Sequence, residues 1–176
     1  AKTWLKQTLL HRKVKLVTDV EPEDKYQRIL AHVFTDRNAH INLQLVTAGL
    51  AAADIHPPNL LYADQLVAAQ NKAEQAKRGI WGRSDYAPVS AESLDEAHDG
   101  GWQRVRGKLI TLRRSRKNVY LVFPGVLQAR IEKRWLSLFP DLQVWVGKDL
   151  EIRGWLHKDH SHLTMQILHP SAIKPL

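Results

Sequence analysis

The rhythm of apolar and polar positions changes along the chain, and the changes mark its elements. Between Lys2 and His11, Trp4, Leu5, Leu9 and Leu10 stand among polar residues at helical spacing, which predicts a short amphipathic helix. Val14, Leu16 and Thr18 then alternate with Lys13, Lys15, Val17 and Asp19, which suits a strand. Glu21-Pro22-Glu23-Asp24 reads as a turn, and the apolar run Ile29 to Phe34 is expected to pair back as a hairpin. Asn42 is placed to cap a short helix, Leu43 to Ala48, which Gly49 ends. After Pro57-Pro58-Asn59, the stripe Tyr62, Leu66, Ala69, Ala73, Ala76 and Ile80 predicts a long helix ending near Gly79, with Trp81 packed beyond.

The second half has the period of strands. Gln103 to Leu112 predicts a strand, Arg113 to Asn118 a polar turn, and Val119 to Phe123 the returning strand. Pro124-Gly125 turns the chain into a third strand, Val126 to Ile131. Glu132 to Phe139 reads as a short helix. A fourth strand holds Leu150, Ile152 and Trp155; a fifth, Leu163 to Leu168, follows a turn at His157–His162. The order β-β-β-α-β-β is that of a five-stranded OB barrel. Between the halves, residues 87–101 carry a proline, serines, acids and a glycine pair without sustained periodicity, and read as a linker.

Charge sharpens this division. The chain has 176 residues and a net charge of +8, distributed unevenly. Residues 102–176 hold 14 basic against 5 acidic side chains, whereas residues 89–101 hold four acids and no base. A short segment this basic points to a polyanionic partner, nucleic acid before an anionic membrane. The 44% apolar content excludes a disordered or fibrous chain, and no apolar run could cross a bilayer. With no cysteine, disulfides, thiolate metal sites and cysteine nucleophiles are excluded.

Motifs carry the reading further. Asp24-Lys25-Tyr26-Gln27-Arg28-Ile29-Leu30-Ala31-His32-Val33-Phe34 resembles the D-K/R-Y-G-R-x-L-A-x-V/I-Y/F signature of the staphylococcal nuclease (thermonuclease) family. Ile41 to Leu50 is similar to that family's V-N-x-x-L-V-x-x-G-L, and Ala73 to Gly82 to its closing E-A-x-A-x-x-x-x-I/L-W. The resemblance covers the C-terminal half of the nuclease domain. It implies an α+β, mainly β protein: a partial nuclease barrel of two strands and three helices in residues 1–86, the linker 87–101, and an OB-like barrel in 102–176. It implies a calcium-dependent phosphodiesterase in which Arg28 is catalytic and Lys25 and Tyr26 contact a nucleotide phosphate. A planar guanidinium suits that role, since it can hold two oxygens of the transition state at once.

The resemblance also has departures. The family's first catalytic arginine, glutamate and calcium-binding aspartates lie in the half with no counterpart here, so no metal ligand is assigned. Gln27 stands where the family has glycine, and the loop Ala53 to Pro57 lacks its substrate-stacking aromatics, with His56 the available substitute. Half a barrel would leave unpaired edges, so an upstream fragment or a second protomer is expected to complete it. Many relatives are exported, which makes an exported or periplasmic protein the expectation by resemblance.

In the second half, Gly147 to Leu156 resembles the G-K-x-V-x-V-x-G-x-V run of nucleic-acid-related OB domains, and a similar tail follows the nuclease domain in some bacterial members. The resemblance implies a DNA- or RNA-binding rim built from Arg113, Arg114, Arg116, Lys117, His157, Lys158, His160 and His162, with both loops at one rim and Tyr120, Trp145 and Trp155 as stacking candidates. The three histidines lack the fixed partners a zinc site needs and are expected to add charge in acid. The leading function is therefore a metal-dependent nuclease in intact form. The alternative is a binding module without catalysis, and a third is a role on an anionic surface.

Overall fold

The computed structural model describes residues 1–95, 100–159 and 161–176. The chain is mixed α+β, and its contacts divide it between Asp85 and Tyr86 into two compact units.

The first unit starts with helix α1, Lys2–Leu9, which buries none of its residues. Strands β1, Val14–Val17, and β2, His32–Thr35, pair antiparallel with Val14 opposite Thr35 and Val17 opposite His32. Helix α2 spans Ile41–Thr47, starting two residues earlier than the sequence suggests. Asn42 does not cap it: its Oδ1 accepts the Val33 N–H at 2.8 Å and ties the helix to β2. Helix α3, Ala63–Gln75, buries Leu66 and Ala73 as expected, but Ala76 falls outside it and Gln70 is buried within its face. Gln70 is satisfied there by accepting the Ala53 N–H at 2.7 Å, which anchors the loop before α3. The unit's core is small, formed by Val46, Ile55, Ala63 and Leu66. Val14, Leu16, Val20 and Ile29 stay exposed.

Two glycines join α2 to the end of α3. Gly49 and Gly79 both have left-handed φ, and the Ile80 N–H donates to the Gly49 carbonyl at 2.9 Å. A Cβ on Gly49 would sit 2.2 Å from the Arg78 carbonyl oxygen, so backbone packs on backbone here.

The second unit is one sheet in which β3, Val89–Ser90, begins the order and β4, Gly101–Lys108, β5, Thr111–Arg114, β6, Asn118–Val122, β7, Leu127–Glu132, β8, Asp149–Asp159, and β9, His162–Gln166, follow in sequence. Their spatial order is β3-β4-β8-β9-β7-β6-β5, with β10, Ile173–Pro175, added on β8. The strand expected over Gln103–Leu112 is thus bent. At the bend the Leu109 N–H donates to Lys148 and the Ile110 N–H to Val122, so consecutive residues bond to opposite ends of the strand order. Because β4 and β5 are contiguous in sequence, the strand next to β3 at one end of the path is joined to β5 at the other. The segment expected as a helix at Glu132–Phe139 is a 3₁₀ turn, Lys133–Leu138.

The expected linker 87–101 is corrected over part of its length. β3 pairs parallel with β4, and Ala91 and Leu94 are buried in the second unit's core. Apolar residues spaced too sparsely to show a period still suffice to dock a short segment. Residues 96–99 of that stretch lie outside the described residues.

Glu151 on β8 is wholly buried and receives Arg104 Nε at 2.8 Å, Arg106 Nε at 2.9 Å and an Arg153 nitrogen at 2.8 Å. Burial pushes its carboxyl up, but the hydrogen bonds from Arg104 and Arg106 and the charges of Arg153 and Arg104 outweigh it and hold the group below its ordinary value.

The glycine pair yields a test of the fold. Gly49→Ala should destabilise the first unit by about 2–4 kcal/mol, since it adds both a strained φ and a backbone clash. Urea unfolding of the full chain reads this, and an unchanged midpoint for the first unit would refute the packing.

Candidate functional site

The loop between β1 and β2 is organised by one side chain. Asp24 Oδ1 accepts the backbone N–H groups of Tyr26 at 2.8 Å and Arg28 at 3.0 Å. Its Oδ2 receives the Arg28 guanidinium, from Nε at 2.6 Å and from a terminal nitrogen at 2.6 Å. The Gln27 N–H donates to the Asp24 carbonyl and the Asp24 N–H donates to the Arg28 carbonyl, closing the same turn. Gln27 adopts a left-handed φ of 62°, so the turn that suits glycine persists with a larger residue in its strained place.

The loop therefore presents Arg28 outward. Its side chain is 73% exposed while that of Asp24 is only 16% exposed. Lys25 Nζ and the Arg28 guanidinium both lie by the Tyr26 ring, at 5.0 and 5.3 Å from its centroid. Lys25, Tyr26 and Arg28 are thus brought together as one cationic, aromatic cluster. The backbone N–H of Arg28 is the largest influence that holds the Asp24 carboxyl below its usual value; partial burial opposes it, and the Arg28 side chain adds to it.

A cleft of about 420 Å³ runs beside this loop, lined by Asp24, Arg28, His32, Asp54, His56 and an apolar floor that includes Ile55. In the loop before α3, Asp54 and His56 form a polar pair, His56 Nε2 to Asp54 Oδ2 at 3.0 Å. The hydrogen bond to Asp54 raises the His56 value above the ordinary imidazole range despite burial. Asp19 Oδ2 accepts the Leu61 N–H at 2.7 Å. Among the described residues no three His, Asp or Glu side chains gather as a metal ion would need. The carboxylates at the cleft are engaged elsewhere, so they do not fit a calcium site.

In the second unit the basic residues lie differently from the expected rim. Arg113 and Arg114 belong to β5, and the turn is only Ser115–Lys117. His157 and Lys158 belong to β8 and His162 to β9; His160 lies outside the described residues. The two loops are not at one rim. β7 and β9 are parallel, with Leu127 beside Leu163 and Arg130 beside Gln166, whereas Glu132 lies opposite Asn118. The arginine turn and the histidine turn therefore flank the sheet from opposite ends.

Between them lies an outward face of polar rungs. One runs Arg113, Tyr120, Arg130 and Gln166 across β5, β6, β7 and β9; the next includes Gln128, Thr164 and His157. The Arg113 guanidinium stands 4.0 Å from the Tyr120 ring centroid and donates to Gln128 Oε1 at 2.9 Å. Gln128 in turn donates to Thr164 at 3.0 Å. Arg130 donates to Gln166 at 3.2 Å, and its Nε is buried without an acceptor. Of the other stacking candidates, Trp155 is exposed on β8, but Trp145 is core. Arg130, Gln128 and Gln166 were not candidates in sequence, because only strand register reveals that they share a face with Arg113.

Comparison with known proteins places the first unit. The family model described as "Staphylococcal nuclease homologue" matches residues 1–83. The chain is 37% identical over 83 residues to a thermonuclease of Staphylococcus intermedius, covering 47% of this chain and 49% of that protein. It is 35% identical over 81 residues to a thermonuclease of Staphylococcus hyicus, covering 46% of this chain and 47% of that protein. With Endonuclease YncB of Bacillus subtilis (strain 168) it shares 38% identity over 64 residues, covering 36% of this chain and 30% of that protein. The chain spans about half the length of the thermonucleases it matches.

The Asp24 bonds give a direct test. In Asp24→Ala, amide hydrogen exchange at Tyr26 and Arg28 should accelerate about tenfold or more, because the one oxygen that accepts both N–H groups is lost. In the native chain the same protection should hold above the ordinary carboxylate value near 4 and fall as pH drops through the lowered Asp24 value. Unchanged exchange in the variant would show that the turn forms without the carboxylate.

Proposed function

We propose that the chain, whose residues 1–83 match the staphylococcal nuclease homologue model, carries the phosphate-holding part of a nuclease joined to a nucleic-acid-binding barrel. The observation that carries this reading is the loop Asp24–Arg28, which presents a guanidinium outward beside an apolar-floored cleft.

Hydrolysis of a phosphodiester develops charge on equatorial phosphoryl oxygens. A guanidinium fork can donate to two of them and lower the barrier, provided it is positioned beforehand. Asp24 supplies that positioning through both the backbone and the guanidinium. An incoming phosphate then takes the fork's exposed side, with Lys25 and Tyr26 contacting a neighbouring phosphate. Calcium dependence enters through the family, and in this proposal its ligands come from residues outside this chain. So does completion of the first barrel, by an upstream fragment or a second protomer. The exposed Val14 and Leu16 on β1 support it.

The second unit is read as a five-stranded OB barrel with β4 and β5 as one bent first strand, a reading its strand order supports. Its outward face offers a single strand one stacking ring, Tyr120, backed by Arg113, and cations at both flanking loops. The substrate class is accordingly DNA or RNA. If the catalytic half were absent from the natural protein, the same surfaces would make a binding module.

Two measurements test the proposal. In protein containing the complete domain, Arg28→Ala should lower phosphodiester cleavage by about 10²–10³-fold. Tyr120→Ala should weaken binding of a single-stranded oligonucleotide by about 5- to 100-fold. Full cleavage by the Arg28 variant would remove Arg28 from the reaction, and unchanged binding by the Tyr120 variant would remove the face from the interface.

A further inference from the structure

On the outward face of the second unit, one arginine is laid over a ring and held there. Arg113 of β5 stands opposite Tyr120 of β6 in the strand register. Its guanidinium carbon lies 4.0 Å from the Tyr120 ring centroid, well inside the reach of a cation on an aromatic face. A terminal nitrogen reaches past β6 and donates to Gln128 Oε1 on β7 at 2.9 Å. Because that oxygen accepts, the Gln128 amide nitrogen is the donor to Thr164 Oγ1 of β9, at 3.0 Å. Gln128 and Thr164 are each 6% exposed, although their register places them on the outward face. The amide is therefore oriented from both sides, and it sets where the guanidinium lies.

Arg113 itself is exposed. Tyr120 takes one side of its plane and Gln128 one of its in-plane donors, which leaves the other side of the plane open. An ordinary surface arginine samples many rotamers, and a ligand must still them on binding. Here that ordering is already done in the free protein. The neighbouring cations are tied differently. Arg130 donates to Gln166, Gln166 donates to Glu132, and Glu132 pairs with Arg134.

We propose that an unpaired nucleobase stacks on the open side of the Arg113 guanidinium, with Tyr120 supporting the plane from beneath and Gln128 and Thr164 acting as positioning residues. The ligand rests on the nucleic-acid reading of the second unit given above; the placement of Arg113 does not.

The chemistry favours a base over a phosphate at this point. A guanidinium meets phosphate through the donors at its edge, and meets a flat π-system through its weakly hydrated faces. Gln128 occupies part of the edge, whereas one face is wholly available. A base set there completes a stack of three layers, base, Arg113 and Tyr120. In a duplex both faces of each internal base are covered by its neighbours, so the ligand is a single strand.

The two modes differ in what they respond to. A phosphate contact depends on charge and on salt: losing one lowers the log–log salt slope by about 0.7 for a single strand. A stacked base depends on the planar group and on the base being present.

The test measures binding of two labelled oligonucleotides to the full chain, an ordinary single strand and an abasic strand of equal length with the same phosphates. Arg113→Lys keeps the charge and removes the plane. It should weaken binding of the ordinary strand by about 5- to 100-fold, leave the abasic strand unchanged and leave both salt slopes unchanged. Gln128→Met should weaken the ordinary strand by about 2- to 10-fold, since Arg113 must then be ordered on binding, again without effect on the abasic strand. In the free chain the Tyr120 ring should shift the Arg113 side-chain protons upfield, and Gln128→Met should return them toward those of an unstructured arginine. Native-like binding of the ordinary strand by Arg113→Lys, or an equal loss on both strands, overturns the proposal. Arg113 protons that do not move in Gln128→Met overturn the positioning role. Should the Gln128 variant fail to fold, the exposed Arg113→Lys variant decides. A native chain that binds neither strand refutes the nucleic-acid reading of the second unit as a whole; binding retained without a base effect refutes only the stack.

Discussion

The carboxylate of Asp24 is the interaction on which the candidate site depends. One oxygen closes the turn by accepting two backbone N–H groups, and the other holds the Arg28 guanidinium. The same group thus builds the loop and aims its cation. Separate residues for the two tasks would let the loop form with Arg28 unplaced; here folding of the loop and placement of the arginine are one event. The arrangement also explains how Gln27 is tolerated with a left-handed φ: the bonds on either side of it over-determine the turn.

In the second unit the organising constraint is the bend at Leu109–Ile110. By sending consecutive N–H groups to Lys148, which precedes β8, and to Val122 of β6, it joins β4 near one end of the strand order to β5 at the other. The charges on that unit have two uses. Arg104, Arg106 and Arg153 turn to the buried Glu151 and contribute to the fold, whereas Arg113 lies on Tyr120 and is available to a ligand. Net charge alone does not separate these two groups.

Much of this was legible in the sequence, where a local rule governs. The hairpin β1–β2, α3 and several strands of the second half follow from periodicity, and the placing of Lys25, Tyr26 and Arg28 in one loop follows from a contiguous motif. What was not legible depends on register and on tertiary partners. Asn42 suits a cap, yet its amide is taken by Val33 of β2. Arg113 and Arg114 read as a turn because their charge hides a strand that is polar on its outer side. The two loops were expected side by side, and only the parallel pairing of β7 with β9 sets them at opposite ends.

The central claim is that Arg28 receives a nucleic-acid phosphate from the position Asp24 gives it. The most direct measurement is the ¹⁵N shift of the Arg28 Nε in the full chain as a single-stranded oligonucleotide is added, recorded also in Arg113→Ala. The account predicts that the Arg28 signal moves in both proteins as its bond to Asp24 is shared with phosphate. An Arg28 signal that stays fixed while that of Arg113 moves would contradict it and leave the second unit as the sole binding surface.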